Sequence, residues 1–407
     1  MTDTAVLFLS HLIPREMYGE VNALSRGNMQ DAANALQWHL AEGFAHHLHG
    51  RYDMINLLPI ASYPQYYKKA LVKPSAFDAG LHTDAVNIGF CNVKYIRRGS
   101  IKRNLYRAVR RWCEENADKQ RVILVYTLHG IMLDVLCRIK KTHTDLTVCA
   151  IVADLPDMVN LSAKGSFLRR AVSRFTASVS YKNLHAVDKF VYLTRQMADY
   201  IGADKPFCVM EGIAPDADTG SSPKTEDGVK TVLYTGTLHR KFGVVHLLDA
   251  FSRMDDPTYR LVICGVGDSE DVIREAAKRD PRIVFKGKCA RDEVLRLQRA
   301  ATVLVNPRMN NEAFTKYSFP SKNLEYLSSG VPLVAFKLDG IPDEYDPYIR
   351  YAADDTPETL AETIRTVCEW TEEERRAFGE HAARFVAKNK NKIAQTKRIL
   401  EFLGFDL

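Results

Sequence analysis
The sequence has no long hydrophobic run. Between Met1 and Ser10 the one uninterrupted apolar stretch is Ala5-Val-Leu-Phe-Leu9, too short for a signal peptide and far short of the roughly 20 residues that span a bilayer. The eight cysteines are scattered without a Cys-x-x-Cys pair, and Cys149 and Cys264 sit inside apolar runs. This usage argues against a zinc site and for buried thiols in a reduced, cytosolic compartment. Charge of one sign is not in excess either: 56 Lys and Arg against 50 Asp and Glu leave a net charge of +6. There is no nucleic-acid-binding motif, short repeat or low-complexity tract. Nucleic acid is therefore not an expected partner, and any basic contact surface has to be local.

What is present is a long series of strand and helix signals. At 407 residues, 46% of them hydrophobic and 26% charged, the chain exceeds one typical core and predicts two domains. Apolar runs without alternation indicate strands buried on both faces. They occur at 5–9, 54–58, 85–90, 122–126, 147–152, 189–193 and 207–210, then again at 231–234, 259–264, 283–285, 302–305 and 332–336. Helical spacing between them, as from Asn28 to Glu42, gives the alternation of a parallel α/β sheet. The loop after the first strand is expected to carry Tyr18-Gly19-Glu20. The polar, turn-rich stretch 216–228 is the strongest linker signal. The fold class expected is α/β, with two doubly wound, Rossmann-like domains facing a cleft: 1–208 and 209–384. Residues 385–407, within a stretch read as helical from Thr371 to Leu407, are expected to return to the first domain.

Two stretches of the second half have the residue types of an anion site. Tyr317-Ser-Phe-Pro-Ser-Lys-Asn-Leu-Glu-Tyr-Leu-Ser-Ser-Gly330 reads as a loop and a short helix, opened at Pro320 and stopped by Gly330. Spacing puts Ser321, Lys322 and Glu325 on one helical face. Free backbone N–H groups, a hydroxyl, an ammonium and a carboxylate suit a phosphorylated sugar; a surface helix with a Lys322–Glu325 ion pair is the plainer alternative. Tyr234-Thr-Gly236-Thr-Leu-His-Arg240-Lys241-Phe-Gly243 follows a strand and precedes a helix. Gly236 permits close backbone approach there, and Arg240 and Lys241 suit a diphosphate. Cys264-Gly-Val-Gly-Asp268 lacks the third glycine of a dinucleotide fingerprint and reads as a tight turn.

Taken in order, these pieces resemble the nucleotide-binding domain of family-4 retaining glycosyltransferases of the GT-B fold. The matching segments are Tyr-Thr-Gly-Thr-Leu, Leu-Val-Ile-Cys-Gly-Val-Gly-Asp, Ile-Val-Phe-Lys-Gly-Lys, Val-Leu-Val-Asn-Pro-Arg and Phe-Pro-Ser-Lys-Asn-Leu-Glu. The first half is similar mainly through Tyr-Thr-Leu-His-Gly and Ala-Asp-Leu-Pro-Asp. The resemblance implies that Glu325 is the second glutamate of the family's Glu-x7-Glu motif and holds the donor ribose. The first glutamate falls at Tyr317, a departure shared with a branch resembling polysaccharide- and capsule-assembly enzymes that carry Phe-Pro-Ser-Lys. It further implies that Ser321 and Lys322 lie near the diphosphate, that Arg240 and Lys241 neutralise the leaving group, and that Lys288 marks the position whose backbone reads the base. His129 resembles the cleft histidine near the transferred sugar, and Gly19 and Asp154 fall on the acceptor side. No Asp-x-Asp lies at a plausible metal-binding strand end, and neither metal nor other cofactor is expected.

From Lys94 to Arg111 the chain carries eight cations, interleaved with Tyr95, Ile96, Leu105, Tyr106 and Val109, and Trp112 follows. Leu105, Val109 and Trp112 fall on one helical stripe, which suits peripheral contact of 94–112 with an anionic membrane surface; a solvated helix face is the plainer alternative. Lys164 to Arg174 adds a second basic cluster. The expected activity is sugar transfer from a nucleotide diphosphate sugar to a glycan or lipid-linked acceptor, with retention of configuration, in the cytoplasm at the inner face of the cell membrane. The alternatives are a non-catalytic GT-B-like partner of another transferase, suggested by Tyr317, and a nucleotide-sugar epimerase.

Overall fold
The apolar runs become strands, mostly parallel, nearly all of them in two large sheets. In the computed structural model, residues 3–26, 30–80, 84–157, 178–216 and 228–407 are described. Nearly all of the 216–228 stretch, and the basic cluster Lys164–Arg174, lie outside them. By contacts the chain divides into two units, Met1–Glu211 with Lys392–Leu407, and Gly212–Asn391.

The first unit holds strands β1 (Thr4–Ser10), β2 (Asp53–Asn56), β3 (Leu71–Val72), β4 (Ser75–Asp78), β5 (Asp84–Asn87), β6 (Phe90–Cys91), β7 (Gln120–Tyr126), β8 (Thr147–Val152), β9 (Lys189–Tyr192) and β10 (Phe207–Val209). Eight of them form one sheet in the order β10-β9-β8-β7-β1-β2-β5-β4. All pairs are parallel except β4 against β5. The sheet winds outward in both directions from β1 and β7, so the residues just past these two strands flank its switch point. β3 and β6 form a separate antiparallel ribbon.

Three expectations change here. Tyr18-Gly19-Glu20 opens a short helix, α1 (Tyr18–Leu24), rather than a loop. The next helix, α2, runs Asp31–His47. The run 85–90 is two strands of different sheets, because the chain leaves β5 at Asn87 and re-pairs as β6. Finally, α3 (Arg97–Glu115) buries Ile101, Leu105, Val109, Trp112 and Cys113. The stripe read as a membrane face is core, and Trp112 Nε1 donates to Asp53 at 2.6 Å. An apolar face beside a sheet is stabilised most by covering that sheet. Helices α4 (Gly130–Ile139) and α5 (Gln196–Ile201) also belong to this unit.

The second unit has β11 (Lys230–Thr235), β12 (Tyr259–Cys264), β13 (Ile283–Gly287), β14 (Val303–Asn306), β15 (Leu333–Ala335) and β16 (Arg350–Tyr351), all parallel in the order β13-β12-β11-β14-β15-β16. Between and after them run α6 (Val244–Phe251), α7 (Glu270–Arg279), α8 (Arg291–Ala300), α9 (Ser321–Ser328), α10 (Pro357–Glu369) and α11 (Glu372–Asn389). Its core joins Val232, Leu261, Ile263 and Val303 of the strands to Leu247, Phe251, Leu360 and Ile364 of the helices. Thr371 and Glu374 cap α11 reciprocally. The expected single helix from 371 is broken at Lys390, whose ammonium is buried against Glu344 at 2.6 Å. Beyond the break, α12 (Lys392–Leu403) belongs to the first unit and packs on α2. A Cβ on Gly43 would lie 2.6 Å from the Lys392 carbonyl oxygen, so the two helices meet at a glycine. Lys392 pairs with Glu42 at 2.8 Å.

Candidate functional site
The switch point of the second sheet lies between β11 and β14, and the loops leaving these strands carry the site. Gly236 follows β11 with φ +131°, and a Cβ there would lie 2.0 Å from Lys322 Nζ. Only a glycine leaves room for the ammonium at that backbone. Gly243, at φ +81°, closes the same loop against the Pro307 carbonyl, 1.8 Å from where a Cβ would stand. The loop is tied down by Asp268, which accepts from the Arg240 backbone N–H at 3.0 Å and pairs with His239 at 3.2 Å. The turn at 264–268 thus serves as an anchor.

Lys322, in the first turn of α9, places Nζ 4.2 Å from the Tyr234 ring centroid, in cation–π range. Burial and the neighbouring Arg308 pull its pKa down to about 7, with Glu325 opposing. Arg308, two residues past β14, is 6% exposed. Its Nε and Nη2 are buried without a hydrogen-bond partner among the described residues, and burial lowers its pKa to about 10. The guanidinium lies over Phe314 at 4.9 Å and Phe242 at 5.7 Å. Lys241 Nζ lies over the same rings, at 4.9 and 5.2 Å. Three cations thus converge on Tyr234, Phe242 and Phe314. A desolvated guanidinium with orphaned N–H groups is costly unless an anion completes it. Sequence reasoning missed Arg308; its signal was an Asn-Pro-Arg immediately after a buried strand.

Glu325 does not pair with Lys322. Its carboxylate accepts from Arg291 of α8 at 2.5 Å and from Gln298 Nε2 at 2.6 Å. Gln298 also donates to Thr235 Oγ1 at 3.0 Å, and the buried Tyr326 hydroxyl bonds both the N–H and the carbonyl of Thr235. This network fixes the end of β11 against α9 and holds the carboxylate half-exposed at the sheet edge. Ser321 and Arg240 are exposed, as is Lys288, just past Gly287 on β13. Tyr317 is half-buried in a turn, with Lys316 over its ring at 5.0 Å. The structure therefore gathers Gly236, Lys241, Lys322 and Arg308 tightly, places Glu325 on the same helix as Lys322, and leaves Arg240, Ser321 and Lys288 outward.

In the first unit, His129 follows β7 and precedes α4, 5.2 Å from the ring of His11 at the end of β1. Burial, His11 and the Arg97 and Arg98 charges lower its pKa to about 3, while burial lowers His11 to about 4. Both imidazoles are neutral at pH 7. His11 Nδ1 lies 2.5 Å from the Leu57 carbonyl; His129 Nδ1 is buried without a partner among the described residues. Asp154, past β8, is open to solvent, yet surrounding protein raises its pKa to about 6. Gly19 is exposed within α1 and has nothing within 4 Å of a built Cβ. Among the described residues, no group of three or more His, Cys, Asp or Glu is gathered to hold a metal ion.

No curated protein matches the sequence. Among solved structures, the chain is similar to sucrose-phosphate synthase from Thermosynechococcus elongatus, at 15% identity and TM-score 0.61, covering 98% of each chain. It is similar to the lipopolysaccharide outer core galactosyltransferase WaaB at 14% and 0.60, covering 98% of this chain and 99% of that one. Anabaena HepE in complex with UDP and glucose matches at 13% and 0.55, covering 98% of each. Residues 229–369 match the family described as Glycosyl transferases group 1, and the chain as a whole has the two-domain GT-B fold of these glycosyltransferases.

Proposed function
We propose that the protein is a glycosyltransferase. It moves a sugar from a nucleotide diphosphate sugar to a glycan or lipid-linked acceptor, with retention of anomeric configuration and without a metal ion. It works in the cytoplasm, in peripheral contact with the inner face of the cell membrane. The observation that carries this reading is the buried, unpartnered guanidinium of Arg308 beside Lys322, within the segment that matches the group 1 family. A diphosphate supplies the missing acceptors. Breaking the sugar–phosphate bond leaves negative charge on the departing diphosphate. Lys322, Arg308 and Lys241 are assigned to that charge, which fixed cations stabilise without reorganising. Glu325 is assigned to the ribose hydroxyls, its carboxylate held in place by Arg291 and Gln298. The backbone after Gly287, at Lys288, is assigned to the base, Ser321 to the phosphate and Tyr317 to the sugar side. Arg240 is assigned to the leaving group.

On the first unit, neutral His129 is assigned to the transferred sugar, where an uncharged imidazole donates or accepts a hydrogen bond from a hydroxyl. Gly19 and Asp154 are assigned to the acceptor. The test is release of nucleotide and formation of glycosylated product when UDP-, GDP- or dTDP-sugars are incubated with the protein and lipid extract. Product that requires Arg308 and Lys322 supports the reading. Nucleotide binding with neither transfer nor nucleotide release, across all donors, overturns the transferase assignment.

A further inference from the structure
With the Leu105–Trp112 stripe buried, α3 has no apolar face to lay on a bilayer. Exposed apolar groups lie just before it. Tyr95 is 88% exposed and Ile96 is 59% exposed, in the turn that enters α3, and Leu71 on the adjoining β3–β6 ribbon is 60% exposed. The Asn92 side chain donates to the Ala61 and Lys69 carbonyls, its backbone N–H donates to Ala70, and its Oδ1 accepts from Arg97. The protruding residues therefore stand on a rigid base.

Around them cations predominate. From Lys94 through Cys113 there are eight cations and no acid. The outward side of α3 borders a groove of about 490 Å³, lined among others by Arg103, Tyr106, Arg107, the acidic Glu114 and, from α4, Arg138. Arg138 lies over the Tyr106 ring at 4.8 Å. Arg110 and Arg111 are matched by Glu114 and Glu115, and Lys102 by Asp134. Among the described residues Arg98, Arg103, Arg107 and Arg138 have no ion pair. Exposed aromatic and aliphatic side chains at a tip, with unmatched arginines beside them, are complementary to a surface that is apolar just beneath a layer of negative charge.

We propose that this face of the first unit, with Tyr95 and Ile96 at its tip and the arginines of α3 and α4 beside it, docks the protein on an anionic lipid bilayer. It deepens the membrane contact suggested above by replacing the buried stripe with a tip and a cationic rim. It does not depend on the sugar-transfer reading, because it is tested without substrate.

The experiment is co-sedimentation of the full chain with vesicles of phosphatidylcholine alone, or with one third phosphatidylglycerol, at low and physiological salt. Binding to the anionic vesicles only is expected. Arg103→Gln with Arg107→Gln lowers it by roughly fivefold per arginine at low salt. Tyr95→Ser with Ile96→Ser lowers it by about tenfold with the loss persisting at physiological salt, where a purely electrostatic contact is screened. Unchanged thermal melting of each variant separates docking from folding. Absence of binding to anionic vesicles overturns the proposal. So does binding unaffected by Tyr95→Ser with Ile96→Ser, or preferential capture by a single-stranded RNA of similar charge, which assigns the arginines to nucleic acid. A protein that still binds nucleotide sugar but ignores vesicles refutes docking alone.

Discussion
Lys322 makes donor binding depend on pH. In the empty site its pKa is about 7, while a bound diphosphate favours the ammonium and returns the pKa toward its ordinary range. The diphosphate diester of a nucleotide sugar does not titrate between pH 6 and 8, so the lysine sets the slope. At pH 6 nearly all of the empty protein carries the proton. At pH 8 about one molecule in eleven does, and affinity falls by about tenfold, about 1.4 kcal/mol. Calorimetric titration at both pH values measures this directly. Repeating the pH 8 titration in two buffers of different ionisation enthalpy reveals uptake of nearly one proton per ligand. Lys322→Gln binds more weakly and loses both the slope and the proton uptake. The empty protein shows the opposite linkage. The unfolded chain keeps the proton up to the ordinary 10.5, so stability relative to Lys322→Gln rises as pH increases above 7. Equal affinity at pH 6 and 8 without proton uptake would refute the placement of Lys322 beside the diphosphate.

Two further substitutions separate binding from folding. Arg308→Met removes a buried cation that has no partner, so the melting temperature of the empty protein stays level or rises, while nucleotide-sugar affinity falls about tenfold or more; a melting loss of several degrees contradicts a binding role. Glu325→Gln breaks a partly exposed pair with Arg291 and costs the fold about 1 kcal/mol or less. In titrations, the wild type distinguishes a ribonucleotide from its 2′-deoxy analogue and the variant does not; preserved discrimination removes Glu325 from the ribose.

The fold class was legible because its central strands are buried. The runs 122–126, 147–152 and 259–264 have no alternation, and each is a strand between parallel neighbours. β3, β4, β6 and β16 escaped notice. They are two to four residues long, and such short edge pairings are set by tertiary contact rather than local pattern. Amphipathicity placed Leu105, Val109 and Trp112 on one face, but a helix facing its own core and one facing lipid share that pattern.

At the site, the glycine and lysine positions were suggested by type and spacing. What escaped were relations between distant residues. Glu325 prefers Arg291, which is 34 positions away, over Lys322, three positions away on its own helix. His11 meets His129 only because β1 and β7 are adjacent. The importance of Arg308 lies in its burial without a partner, which no local pattern encodes.

The most direct test of the donor site is a titration of the full chain with UDP-, GDP- and dTDP-sugars, followed by thermal melting and repeated with Arg308→Met. Stabilisation by the sugars of one base, several degrees at saturating ligand and lost in the variant, is the predicted result. Melting temperatures unmoved by any nucleotide sugar, or moved equally in the variant, contradict the account.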